Sequence, residues 1–163
     1  MVGEMNRQVF QPSNSKIGGL DAKWVILIAY FGATVLGLVP GVKYVSWLIP
    51  LIVFFVDREN DFIAFHAIQA FLLEIVAAVI YIILGIIVAA SAIGAYSSAV
   101  LMSGAGVAAG VGAAIAFGAI VVLVSIAVLI FAILAAIKGY KYEIYEIPLV
   151  GKWAEKIVFK TSN

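Results

Sequence analysis

Cysteine is absent from the 163 residues, which excludes disulfides, thiolate catalysis and thiolate metal sites. Histidine occurs once, at His66, so imidazoles of one chain cannot assemble a zinc site, and no metal or other cofactor is expected. Charge is scarce too. Only 12% of residues are Asp, Glu, Lys or Arg, about half the share of a soluble domain, and none lies between Ile75 and Ile137. The net charge is +1 and the basic residues are divided between the two ends, so there is no basic patch and nucleic acid is not an expected partner. Met1–Ala22 is polar and has no apolar centre, so neither a cleavable signal peptide nor a transit sequence is expected there.

What is abundant is apolar: 65% of residues are hydrophobic and the mean hydropathy is +1.17. A domain of about 150 residues leaves too large an outer shell to hide that content from water, so a soluble enzyme is excluded and the lipid bilayer is the first expected partner. The pattern predicts an all-α integral membrane protein, a four-span helical bundle with a short second span and a C-terminal interfacial helix. The predicted division is a polar segment over 1–22, a transmembrane domain over 23–137 and a cytoplasmic amphipathic tail over 138–163.

Within that domain the spans are expected at about 24–39, 42–56, 62–92 and 107–137. The second carries Pro50 and reaches only about 20 Å from Tyr44 to Val56. It reads as a short span with a snorkelling Lys43, the second arm of a re-entrant hairpin, or a continuation of a kinked first helix. Asp57-Arg58-Glu59-Asn60-Asp61 separates it from the third, and the small-residue run Gly94–Gly112 reads as the turn between the last two. Lys and Arg cluster before Trp24 (Arg7, Lys16, Lys23) and after Ile137 (Lys138, Lys141, Lys152, Lys156, Lys160), which predicts cytoplasmic termini and an even number of spans. Trp24, Trp47 and Trp153 each fall near an expected interface. From Pro148 the tail places Leu149, Trp153 and Ile157 on adjacent helical positions, as in a helix lying on the membrane surface.

No catalytic constellation is present. Ser103 and His66 would lie about 40 Å apart along one helix, and there is no HExxH, aspartate pair or Gly-Lys-Ser loop, so an enzyme is not expected. Gly106/Gly110, Ala108/Gly112 and Ala114/Gly118 are small residues four apart that let helix backbones approach, so the last span should pack closely on a neighbour in the same chain or on another subunit. Glu74 lies eight residues, about 12 Å, beyond His66, near the expected midplane. There it reads as a protonated packing residue bonded to Thr34 or Ser125, or as a proton or ion relay or substrate contact in a small transporter. His66 and Gln69 share a helix face, placed to fasten the Asp57–Asp61 loop or to meet a partner. The tail is expected to cover the bundle end near His66.

Phe62, Phe65, His66, Ala67, Gln69, Ala70 and Glu74, following the charged loop, form a motif that resembles the Tic-twenty-like membrane proteins, a family that includes a chloroplast inner-envelope translocon component. Ala64 departs from the arginine usual there, and Ile147–Ile157 is similar to the end of small prokaryotic members. The resemblance implies four spans and a non-enzymatic subunit or scaffold for protein insertion or translocation. On that expectation the protein sits in a prokaryotic plasma membrane, with other membrane subunits or further copies of itself as partners.

Overall fold

The computed structural model describes residues 9–42 and 45–159, so Arg7, Lys43, Tyr44 and Lys160 lie outside the described residues. The described residues are helical apart from turns and two isolated bridges, Val9 with Glu143 and Asn14 with Asp21. The order is α1 (Ala22–Leu36), a 3-10 turn (Ser46–Leu48), α2 (Ile49–Val56), α3 (Asp61–Val100), α4 (Gly104–Tyr140) and α5 (Val150–Val158). Four crossings were expected; among the described residues two helices, α3 and α4, of 40 and 37 residues, are long and apolar enough to cross a membrane. At 1.5 Å per residue α1 reaches about 22 Å, and α2 with its preceding turn about 16 Å, against a hydrocarbon core of about 30 Å.

The chain divides into two compact units. One is Ile75–Leu129; the other comprises the described residues before and after it. Ile75–Leu129 is a helical hairpin whose apolar side chains are largely exposed, among them Ile82, Ile86, Ile93, Ile115 and Leu123. Without water, such surface lies favourably only against lipid or protein. The expected turn over Gly94–Gly112 shrinks to Leu101–Ser103, where Met102 takes a left-handed backbone and the Ser103 N–H donates to Ser98 O at 2.8 Å. Low intrinsic helix propensity is overridden because unbonded peptide groups are so costly in an apolar setting. Ser97, within the expected turn, hides its hydroxyl on the Ile93 carbonyl one turn back, as Ser91 just before it does on Ile87.

Within Ile75–Leu129, the close approaches of the α4 glycines are at its start. A Cβ built on Gly110 would stand 2.5 Å from Ala95 Cβ and 2.9 Å from Ser91 O, and one on Gly106 would strike Ser98. Gly112 and Gly118 face open space, so Gly118, expected to pack, makes no close approach.

The other unit carries the polar segments and is built on buried apolar stripes. Asp21 caps α1 by accepting the Lys23 N–H at 3.1 Å, and Ala22, Val25, Ile26, Ala29 and Tyr30 form its buried stripe at helical spacing. The first turns of α3, from Phe62 to Ala70, are buried throughout. Asn60 caps α3 by accepting the Ile63 N–H at 3.3 Å. In α5 the buried face is Val150, Gly151, Ala154 and Val158, while Leu149, Trp153 and Ile157 are exposed. The tail therefore packs through its small residues and leaves the large apolar stripe outward.

Candidate functional site

Tyr30, His66 and Gln69 meet in the interior of the unit that carries the polar segments, with His66 and Gln69 fully buried. The Gln69 amide donates one proton to Tyr30 Oη at 2.8 Å and the other to the Tyr145 carbonyl at 3.0 Å, and its Oε1 accepts the Ile147 N–H at 3.1 Å. Tyr30 Oη and His66 Nδ1 are 3.3 Å apart, and His66 Nε2 is 3.2 Å from the Glu143 carbonyl. A carbonyl only accepts, so Nε2 carries the imidazole proton and Nδ1 accepts from the phenol. The direction of every bond follows: Gln69 to Tyr30, Tyr30 to His66, His66 to the backbone of the tail. Two glycines make room for this. A Cβ on Gly139 would stand 2.6 Å from Ile26 Cγ2, and one on Gly151 would stand 2.9 Å from Gln69 Oε1.

His66 and Gln69 thus fasten the segment after α4. They do not hold the Asp57–Asp61 loop, which was one of their expected roles. That loop is held by the segment before α1. Buried Asp57 accepts from Ser15 Oγ and, at 2.8 Å, from the Lys16 N–H, and Asn60 donates to Ser13 Oγ at 2.9 Å. Gly18 and Gly19, both at positive φ, turn this segment back towards Asp21. Phe10 N–H donates to Tyr142 O at 2.8 Å, and Tyr142 donates its phenol proton to Asp21. The chain before α1, the loop before α3 and the chain after α4 therefore meet at one end.

Glu74 was expected to bond to Thr34 or Ser125. It does not: Ser125 donates to Val121 O at 2.8 Å and sits 2.9 Å from the Tyr81 hydroxyl, which donates to it. Glu74 Oε2 is enclosed and unbonded. The residue lies where the buried start of α3 gives way to the exposed apolar run that opens with Ile75, and not halfway along an exposed span. Tyr30, Asp57, Asp21 and Tyr142 were not singled out from sequence. Tyr30 alone carried a signal, as the polar-tipped member of the apolar stripe of α1. Among the described residues no three His, Asp or Glu side chains are placed to hold one metal ion.

Hydrogen bonds hold three carboxylates of this end below their ordinary range: from Tyr142 on Asp21, from Lys16 on Glu59 and from Lys138 on Glu143. Burial, with the bond to Asp21, pushes the Tyr142 phenol up to about 12. The depressed carboxylates add stability that is present above their unfolded values and is lost as the pH falls through the lower folded ones. The raised phenol adds stability that is present below its unfolded value and is lost as the pH rises towards the folded one. Spin labels at Gln11→Cys and Lys141→Cys should stay close between about pH 5 and 9, and separate below about pH 4 and above about pH 10. A constant separation at a pH low enough to protonate all three carboxylates would show that these bonds do not hold the segments together.

A helical membrane protein with two long apolar helices, whose polar residues are spent on joining its ends, is the class these features define. A family model described as the magnetosome magnetite crystal formation protein family, MamF/MmsF, matches residues 21–154, and the chain belongs to that family. No curated protein and no solved structure matches the chain. Membership corrects the Tic-twenty-like resemblance: the motif from Phe62 to Glu74 falls within the matched residues of a different family, and the expectation of protein translocation that rested on the resemblance goes with it.

Proposed function

We propose that the protein serves magnetite crystal formation as a non-enzymatic structural component of the magnetosome membrane. The observation that carries this reading is the family match over residues 21–154, which takes in both long helices, the Tyr30–His66–Gln69 network and most of α5. The network supports a structural role, because its donors and acceptors face one another and the segment after α4, leaving little with which to do chemistry. In this reading α3 and α4 cross the bilayer, while α1 and α2 form a re-entrant hairpin that enters and leaves by the side holding the termini. Trp47, at the hairpin tip, stacks on Phe71 only ten residues into α3, about 15 Å from its start and short of the roughly 30 Å core. The lysines around that end favour the cytoplasmic side.

The test is deletion in a magnetite-forming bacterium, followed by graded re-expression of a fluorescent fusion. Smaller or fewer crystals on deletion, a fusion that follows the crystal chain, and crystal size that climbs in step with expression are expected of a structural component. Normal crystals without the protein would overturn the reading, and so would full-sized crystals restored by trace expression, as a catalyst would give.

A further inference from the structure

Between α1 and α4 a groove of about 220 Å³ is lined by Leu27, Phe31, Ile133, Ala136, Ile137 and Tyr140 and ends at Lys141. Its walls are apolar along their length because Leu27 and Phe31 are one turn apart on α1, and Ile133, Ala136, Ile137 and Tyr140 follow one face of α4. The groove changes character at its mouth. Trp24 meets Tyr140 edge-on with ring centroids 5.8 Å apart, and Lys23 Nζ lies 5.6 Å from the Tyr140 centroid. Tryptophan and tyrosine rings paired with lysines mark the headgroup level of a bilayer. The Lys23 charge is partly answered by Asp21, 3.4 Å away; Lys141 acts on Glu143 through space but forms no ion pair among the described residues, Glu143 being paired with Lys138.

We propose that this groove binds one anionic phospholipid, with an acyl chain along Leu27, Phe31, Ile133 and Ile137 and the phosphate at Lys141. The apolar length asks for hydrocarbon, the cationic mouth asks for an anion, and α1 and α4 place the mouth in the unit where the polar segments gather. Lys141 supplies the selectivity; Lys23, already facing Asp21, adds less.

The experiment is native mass spectrometry of the full chain, released from mixed micelles holding equal amounts of phosphatidylglycerol and phosphatidylcholine with identical acyl chains. The wild type should retain the anionic lipid about fivefold over the zwitterionic one, as expected for one lysine at a membrane surface. Lys141→Gln should bring the ratio near one and leave phosphatidylcholine retention unchanged. Ile137→Trp, which fills the groove from its exposed rim, should lower retention of both lipids. Equal retention by the wild type, an unchanged preference in Lys141→Gln, or a lipid-free dimer that Ile137→Trp dissolves would each overturn the proposal, the last by giving the groove to a second copy. Lys141 is exposed, so its variant decides the matter even if Ile137→Trp does not fold.

Discussion

Gln69→Leu is expected to destabilise the protein by about 3 kcal/mol, since a buried group left without its partner costs about 1–3 kcal/mol and two backbone groups are left so. The side chain is fully buried and spends both amide protons and its oxygen on Tyr30, Tyr145 and Ile147. Leucine fills the volume but orphans the Tyr145 carbonyl and the Ile147 N–H in a place water does not reach. Gln69→Glu, closer in shape, should be worse, because an oxygen replaces the nitrogen that faced the Tyr145 carbonyl and a buried charge is added. Both variants should show a lower melting temperature in nanodiscs and faster tryptic cleavage at Lys152. Wild-type melting and cleavage in both would mean that the tail is held by α5 packing alone.

Accessibility of single cysteines should be all-or-none, and the chain is suited to the measurement because it has no cysteine of its own. Met102, 95% exposed at the turn between α3 and α4, should as Met102→Cys react with an impermeant maleimide from one side only. Arg58→Cys and Lys152→Cys should react only from the other. Leu38→Cys separates a re-entrant hairpin from two further crossings. Leu38 is 82% exposed in the turn after α1, where the re-entrant reading places it in hydrocarbon, so it should react from neither side. Labelling of Leu38→Cys together with Met102→Cys would restore a four-span count, and labelling of Met102→Cys together with Arg58→Cys would remove the crossings of α3 and α4.

The basic-residue argument required an even number of crossings because Lys16, Lys23, Lys138 and Lys141 had to share a side. Phe10 bonded to Tyr142 and Ser15 bonded to Asp57 place those segments at one end directly. Two short helices turning back within the bilayer, as proposed, would meet the same requirement, so charge distribution could constrain the sides but not the number of crossings. The family assignment failed for a related reason. Two short stretches, one around His66 and Gln69 and the other from Ile147 to Ile157, carried the resemblance, whereas the family match draws on residues 21–154 together.

The sequence by itself determined that α3 and α4 are long apolar helices and that residues after Pro148 form a short amphipathic one. Those outcomes depend on hydropathy, length and periodicity, which are local quantities. Only the tertiary structure decided what the few polar residues do. Tyr30 lies 36 positions from His66, and the Glu143 and Tyr145 carbonyls lie 77 and 76 positions from their donors. Three of the groups that complete the network, the Glu143 and Tyr145 carbonyls and the Ile147 N–H, belong to the backbone, which is the same for every residue type apart from proline. No pattern of side chains could therefore have named them before the chain was folded.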